Sequence, residues 1–253
     1  QYPEPAFWRA PVDNDFGNKM PTLAGVWRTA HVNRYVKKVT IGEKNEKGLS
    51  VRVDWVLSDI QVPYMMEYLI RDNGTIIVTG SIDLTGTKLP ELPRFGMRME
   101  LHQPYENLTY YGRGPLENYI DRYSSSFIGR YENKVENQFY WYIRPQETGN
   151  KTDVRWLTLL DSEGQGVRIT GLQPVAFSAL HFSPEDLDPG LTRKLQHTID
   201  IVPQKNIFLH VDLRQRGLGG DNSWGMYPHN EYRLLDKKYT YSYMIELVEK
   251  GSD

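Results

Sequence analysis

Hydrophobic and polar residues alternate along much of the chain with a period of two. The segment 49–57, "LSVRVDWVL", places its apolar residues from Leu49 to Leu57 on one face of an extended backbone. The same alternation recurs in segments 94–101, 206–213 and 239–248. Because successive side chains of a strand point to opposite faces, each segment is predicted to form a β-strand with one buried face.

Turn-forming residues separate these segments. The stretches 42–48, 71–75 and 161–166 carry the Gly, Asn and Asp residues that tolerate the positive φ of tight hairpins. No long stretch has helical periodicity, although "SPEDLDPG" predicts a single helical turn after Ser183 with Pro184 at its first position. Proline and glycine are spread evenly and mark no linker. We therefore predict one all-β domain of antiparallel strands over residues 1–253.

Composition and charge exclude several classes of function. The 30 Lys and Arg residues against 32 Asp and Glu give a formal charge of −2, so nucleic-acid and membrane partners are not indicated. The chain has no cysteine, which excludes disulfides and thiolate nucleophiles. No apolar run reaches the roughly 20 residues that span a bilayer. Because the first residue is Gln1 and not Met, we expect the chain to be part of a longer polypeptide.

Two glutamates lie on loops rich in polar and aromatic residues, where functional groups concentrate. Glu117 and Glu147 could form the carboxylate pair that glycoside hydrolysis uses. The alternative, which we favour, is that charged residues of these loops form internal ion pairs that hold the loops against the fold. The side chains concerned are Arg113, Glu117, Asp121, Arg122, Glu147 and Arg155.

Metal and nucleotide binding have little support in the sequence. The "DND" of residues 13–15 offers oxygen ligands of the kind calcium prefers, but the short spacing favours a turn whose side chains bond its own backbone. The six histidines form no HxH or HExxH pair, so no zinc site is predicted. Phosphate-binding and nucleophile-elbow motifs do not occur. We therefore predict neither a metal ligand nor a cofactor in this chain.

One stretch combines a large apolar side chain with a flexible, polar backbone. Residues 217–225 read "GLGGDNSWG", in which Trp224 follows an aspartate, an asparagine and a serine. A core tryptophan belongs on a strand. Trp8, at the start of the stretch "FWRAP", is expected to be buried under the sandwich. Trp224 is instead predicted to be exposed on a mobile loop, because glycine lets the backbone bend enough to display it.

Four loop motifs together resemble one known family. They are "FWRAPVDND" (7–15), "YGRGPLENYIDR" (111–122), "RPQETGNKTDVRW" (144–156) and "GGDNSWG" (219–225). In this order they are similar to the C-terminal small-chain region of the multidomain β-galactosidases of glycoside hydrolase family 2. The similarity runs from Phe7 to Leu247, essentially the whole chain. It implies a large antiparallel β-supersandwich similar to galactose mutarotase.

The resemblance also implies how the parts of the enzyme share its function. The family hydrolyses terminal β-galactosides such as lactose with two glutamates of a TIM-barrel domain that precedes this region. Its magnesium and sodium ligands also lie mostly upstream, so no catalytic residue is expected in this chain. Trp224 matches the family tryptophan that lines the galactoside pocket, and with Asp221 and Asn222 it forms the expected substrate-binding set. Asn222 stands where the family usually has Asp, which removes one negative charge beside Trp224.

Two other hypotheses stay open. The chain could be an autonomous mutarotase-like enzyme or a carbohydrate-binding module, for which Glu147 with His181 or His210 is the best acid–base pair. It could also be a separately encoded small subunit of a heteromeric β-galactosidase. The expected partners are a β-galactoside and the TIM-barrel and other domains of the full enzyme. Localisation stays open between the bacterial cytoplasm and the periplasm.

Overall fold

Strands dominate the part of the chain that the structure describes. The computed structural model describes residues 2–188, 190–191, 196–222 and 224–251. Its strands are β1 (Glu4–Ala6), β2 (Arg34–Ile41), β3 (Leu49–Leu57), β4 (Val62–Ile70), β5 (Ile76–Asp83), β6 (Arg94–Leu101), β7 (Asn107–Gly114), β8 (Phe127–Lys134), β9 (Lys151–Leu160), β10 (Gly166–Leu180), β11 (Ile207–Gln215) and β12 (Lys238–Val248).

Helical structure is confined to short pieces. The α-helices are α1 (Asp13–Gly17), α2 (Met20–Leu23) and α3 (Pro184–Leu187), and 3-10 turns lie at Gly25–Trp27, Val135–Gln138, Thr198–Asp200 and Asn230–Tyr232. The longest helix of the described residues has 5 residues. No helix in these ranges is long and apolar enough to cross a membrane.

The strands pair antiparallel in one sheet that branches at its longest strand, β10. The main path runs β1-β6-β11-β10-β12-β5-β4-β3-β2. Along one edge, β10 pairs first with β12 and then with β11. Along the other edge it pairs with β9, which leads on to β7 and β8. Because β12 and β11 share one edge of β10, the sheet divides there into two layers. The predicted all-β antiparallel sandwich is confirmed.

The predicted strands agree closely with the observed ones. Segment 49–57 is β3, segment 94–101 is β6, and segment 239–248 lies within β12. The three predicted turns connect β2 to β3, β4 to β5 and β9 to β10. Only β11 differs, because it continues to Gln215 through a β-bulge that interrupts its pairing with β6 at Leu213. A bulge of this kind has no signature in the alternation itself.

The predicted helical turn is also present. Helix α3 begins after Ser183, whose Oγ accepts a hydrogen bond from the Asp186 backbone N–H at 3.1 Å. The Asp186 carboxylate accepts from the Ser183 N–H in return, at 2.8 Å. These reciprocal bonds satisfy two backbone donors at the start of the turn and fix where it begins.

An aromatic-rich core joins the two layers. Phe7 lies edge-on to Tyr64 of β4, with ring centroids 5.4 Å apart. Phe95 of β6 packs against Tyr241 of β12 at 5.6 Å. The Tyr241 hydroxyl donates to the Val211 carbonyl of β11 at 2.7 Å, which ties the layers together across the core. Buried aromatic rings of this size contribute much of the apolar area removed from water.

Candidate functional site

Trp224 is displayed on the surface of the molecule. Its side chain is 88% exposed, which confirms the predicted exposure. We call residues 217–222 and 224–227, which follow β11, the Trp224 loop. Large apolar side chains are normally buried, so an indole this exposed is informative when its loop is well anchored. The predicted mobility of the loop stays a prediction.

The base of the Trp224 loop is anchored by side chains from distant segments. Arg9 donates through Nη2 to the Gly217 carbonyl at 3.2 Å. The Asn14 amide of α1 donates to the carbonyls of both Leu218 and Met226, each at 3.2 Å. Asn14 therefore bonds both arms of the loop and holds them together.

The loop also makes a close backbone contact with the end of α1. A Cβ atom added to Gly17 would lie 2.8 Å from the Gly225 Cα atom, closer than real Cβ contacts. Gly225 itself has a φ of +112°, which L side chains rarely adopt. Glycine is thus needed on both sides of this contact, one residue after Trp224 and at the last residue of α1.

The polar residues beside Trp224 bond within the loop or next to it. Asn222 accepts the Trp224 backbone N–H through Oδ1 at 2.9 Å, which forms a local Asx-type turn. Asp221 Oδ1 lies 2.8 Å from His229 Nε2. This hydrogen bond raises the pKa of His229 above its ordinary value. The structure therefore shows Asp221 and Asn222 shaping the loop, and their predicted contact with substrate stays a prediction.

A buried carboxylate lies beneath the loop. Asp15 Oδ2 accepts from Arg9 Nη1 at 2.5 Å, and Asp15 Oδ1 accepts from Arg216 Nη1 at 2.8 Å. All three side chains are fully buried. Asp15 Oδ2 also accepts the Val12 N–H at 2.9 Å, at the start of α1. The predicted "DND" turn is therefore the short helix α1, in which the Asp15 side chain bonds the backbone as predicted and also bonds two arginines.

The arginines of this cluster continue to a second carboxylate. Arg216 Nε lies 3.2 Å from Glu91 Oε1, and Arg233 Nε lies 2.8 Å from Glu91 Oε2. The Arg233 guanidinium also lies 4.9 Å from the ring centre of Tyr227. Ion pairs and a cation–π contact thus hold both ends of the Trp224 loop.

Glu147 is buried in a different charge cluster. Its Oε1 accepts from Arg94 Nη2 at 2.8 Å, and Arg94 Nη1 lies 2.9 Å from His210 Nδ1. Arg94 Nε lies 3.1 Å from Asp212 Oδ2. Burial raises the pKa of Asp212 to about 7 despite this neighbouring cation. Arg94 therefore holds the centre of the cluster, between Glu147 and the side chains of β11.

These contacts correct one part of the ion-pair prediction and bear on the acid–base pairs. Glu147 forms an internal ion pair as predicted, but its partner is Arg94 of β6 and not an arginine of the loops. The Arg155 Nη1 atom donates instead to the Asp153 carbonyl. His181 lies 3.1 Å from a Glu106 oxygen and accordingly has a different carboxylate partner. These partners could not be predicted from the sequence, because the sheet brings together residues that lie far apart in the chain.

The ion-pair prediction is confirmed for Glu117, Arg122 and Arg113, whereas Asp121 accepts a backbone N–H. Glu117 pairs with Arg122 at 2.6 Å and accepts the Gly149 N–H at 2.8 Å. Arg113 pairs with Asp153 at 2.5 Å. Glu117 and Glu147 are each engaged by their own arginine, which agrees with the favoured ion-pair interpretation over the hydrolytic pair.

Asp121 contacts the Trp224 loop directly. Its Oδ2 accepts the Gly219 N–H at 2.8 Å. The motif at 111–122 therefore supports the motif at 219–225, although about a hundred residues separate them. Among the described residues, no three His, Asp or Glu side chains come together in a way that could hold a metal ion.

The fold and loop together define a β-sandwich domain that displays one anchored tryptophan. Residues 1–245 match the family model described as the β-galactosidase small chain. The chain is 34% identical over 243 residues to a β-galactosidase of Priestia megaterium, covering 96% of this chain and 23% of that protein. It is also 34% identical over 251 residues to a β-galactosidase of Streptococcus thermophilus, again covering 96% and 23%.

The chain belongs to the β-galactosidase small-chain family. It spans about a quarter of the length of the curated relatives it matches. Among solved structures, it is similar to the galactosidase domain of an α-galactosidase–sucrose kinase, with a TM-score of 0.44 at 9% identity, covering 85% of this chain and 27% of that one. It is also similar to a galactose mutarotase related enzyme of Lactobacillus acidophilus, with a TM-score of 0.43 at 7% identity, covering 85% and 73%.

Proposed function

We propose that this chain is the C-terminal part of a bacterial β-galactosidase and completes its galactoside pocket with Trp224. The groups that cleave the glycosidic bond lie in another part of the enzyme. Family membership over residues 1–245 supports the enzyme class. The observation that carries the role of the chain is Trp224, 88% exposed at the tip of a loop whose base is bonded into the fold.

The chemistry of the indole suits this role. A pyranose has an apolar C–H face and a polar rim, and an indole covers such a face while its N–H can donate a hydrogen bond. The contact is expected to contribute about 1–2 kcal/mol, as aromatic contacts generally do. Millimolar affinity needs about 4 kcal/mol, so Trp224 alone falls short of a stand-alone site. In this proposal, the rest of the pocket supplies the further contacts that galactoside binding requires.

Asp221 and Asn222 act in this proposal by positioning Trp224. The Asn222 Oδ1 atom holds the Trp224 backbone N–H, and an asparagine does this as well as the usual aspartate of the family. Asp221 pairs with His229 on the far arm. Since both side chains are exposed, either can still reach a sugar hydroxyl when the pocket is complete.

No described residue supplies a catalytic acid or base in this proposal. Glu117 and Glu147 are each tied to an arginine and to further donors, which leaves neither carboxylate free to act on a glycosidic oxygen. The magnesium and sodium sites that the family implies are likewise assigned to the rest of the enzyme. The described residues bring together no suitable donor set for them, so no step is assigned to a metal here.

The experiment that tests this division is an assay of the isolated 253-residue chain with a nitrophenyl β-galactoside. We expect no hydrolysis above the buffer rate, because the chain lacks the reacting carboxylates. Turnover that co-purifies with the chain and disappears in Glu117→Gln or Glu147→Gln would contradict the proposal. Both variants keep the size of the side chain, so circular dichroism serves as the control for folding.

A further inference from the structure

The structure contains a recess that no described residue of the Trp224 loop lines. Its volume is about 350 Å³, near the lower end of the range for small-molecule sites. Trp8, His31 and His210 are buried in its interior, and Trp8 is thus buried as predicted. Val32 is 62% exposed and lies at the mouth. We call this recess the Trp8 cavity.

The wall around Trp8 is held in place before any ligand arrives. The indole Nε1 donates to Asp188 Oδ2 at 2.8 Å. The Arg28 guanidinium lies 4.8 Å from the centre of the Trp8 ring and 3.2 Å from the same carboxylate. Asp188 therefore fixes both the indole and the cation that packs on it. A preorganised wall of this kind lowers the entropy cost of binding.

The interior of the cavity contains a polar atom that lacks a partner. His31 is 7% exposed, and its Nε2 atom is buried with no hydrogen-bond partner among the described residues. Burial lowers the pKa of His31 to about 4, so its ring is neutral near pH 7. Buried side-chain polar atoms are normally paired. The His31 ring lines the cavity, but protein atoms cover this nitrogen, so a ligand group reaches it only when the ring turns toward the cavity.

His210 adds a second polar group to the interior. Arg94 is only a donor, so the Nδ1 atom of His210, 2.9 Å from Arg94 Nη1, accepts. The neutral ring then carries its proton on Nε2. Burial keeps the His210 pKa well below its ordinary value, so this ring is neutral as well. Two neutral imidazoles thus line the same cavity.

Among the described residues, the charged side chains that line the cavity are paired with each other. Arg28 pairs with Asp188 at 3.2 Å, and Arg98 pairs with Glu185 at 2.6 Å. An ionic ligand would have to compete with these pairs, whereas a neutral ligand would leave them intact. The apolar lining of Ala6, Phe7 and Val32 requires a ligand with an apolar surface as well as hydroxyl groups.

We propose that the Trp8 cavity binds a neutral polyhydroxylated molecule of about monosaccharide size. A hydroxyl group bonds the His31 ring, which turns to bring its free Nε2 to the ligand, and the C–H face of the sugar ring packs on the apolar lining. This site is separate from Trp224, and the inference does not rest on the proposed function of the Trp224 loop.

The test is calorimetric titration of the 253-residue chain with D-galactose, D-glucose and the anionic D-galacturonate. We expect at least one neutral hexose to bind with a Kd on the order of 1 mM. His31→Leu removes the free polar atom and Val32→Trp narrows the mouth. Each should weaken binding about tenfold or more. Tyr35→Ala, which removes an exposed aromatic side chain outside the cavity, is the matched control and should leave this binding unchanged.

Val32 is exposed, so Val32→Trp is expected to fold normally. This variant therefore tests the cavity even if His31→Leu fails to fold. The proposal is overturned if neither hexose binds up to about 50 mM, a concentration that would reveal even very weak sites. It is also overturned if Trp224→Ala abolishes binding while the two cavity variants retain it. Tighter binding of galacturonate than of the hexoses would contradict the neutral ligand class.

Discussion

At the scale of single residues, Asp15 is the anion that connects the Trp224 loop to the rest of the fold. It accepts from Arg9, which also holds the Gly217 carbonyl, and from Arg216, which precedes the loop in sequence. Removing one partner from a buried ion pair leaves an uncompensated charge, which costs far more than the loss of an exposed pair. The position of the loop therefore depends on a residue that does not touch Trp224.

Asp15→Asn should lower the free energy of unfolding by about 3 kcal/mol, because it leaves two buried arginines without their shared carboxylate. The matched control is Asp72→Asn, which removes an exposed pair with Lys44. This control should change stability little, since solvent screens exposed pairs. Urea unfolding of the 253-residue chain measures both variants. Similar losses in the two variants would show that the Asp15 cluster does not stabilise the fold.

At the scale of elements, the contact between α1 and the Trp224 loop could not be predicted from the sequence. The motif "FWRAPVDND" marks the region of α1, but nothing in it indicates that Asn14 bonds Leu218 and Met226. Strands β3, β6, β11 and β12 were predictable because alternation is a local signal. The partner of Glu147 was not, because Arg94 lies 53 residues away and reaches it only through the pairing of β6 with β11.

The branching of the sheet at β10 could not be predicted from the sequence either, because it too depends on the tertiary structure. Nothing in the sequence of β10 marks the branch, and only the assembled fold shows that β12 and β11 occupy successive parts of one edge. Trp224 is the exception among long-range features, because its exposure could be predicted from glycine and polar neighbours alone. The local composition therefore predicted that Trp224 is exposed, whereas the residues that hold its loop could be identified only from the tertiary structure.

Gly17→Ala should detach the Trp224 loop from α1, because the added methyl group meets the Gly225 backbone. Hydrogen–deuterium exchange of the Gly219 N–H, which bonds Asp121, should then become faster. Gly25→Ala is the matched control, since a Cβ atom at Gly25 has no other atom within 4 Å. Unchanged exchange in Gly17→Ala would mean that the glycine contact does not hold the loop.

At the scale of the whole molecule, an apolar surface is left uncovered next to the second, smaller core. Phe139 and Phe182 of that core pack on each other, with ring centroids 4.3 Å apart. Thr198 Oγ1 donates to the Tyr142 carbonyl at 2.7 Å, which brings two exposed segments together. The exposed side chains of this surface are Tyr140, Trp141, Ile143, Ile199 and Val202.

An exposed apolar surface of this kind marks an interaction site. The chain spans about a quarter of the length of its relatives, so the proposed occupant is another part of the same polypeptide. Hydroxyl-radical footprinting should therefore modify Trp141 in the isolated chain and protect it in the complete enzyme. Trp27, which is fully buried, is the control and should stay protected in both. Equal modification of Trp141 in the two samples would contradict this interface.

The central claim, that Trp224 binds the galactoside while the reacting groups lie elsewhere, is tested most directly by kinetics of the complete enzyme. Trp224→Ala should lower kcat/KM for a nitrophenyl β-galactoside roughly 5- to 30-fold, which corresponds to the loss of about 1–2 kcal/mol. Trp224→Phe should retain part of this contribution, because it keeps an aromatic face. The control Tyr35→Ala, which removes another exposed aromatic side chain, should behave like the wild type. Wild-type kcat/KM in Trp224→Ala would contradict the account.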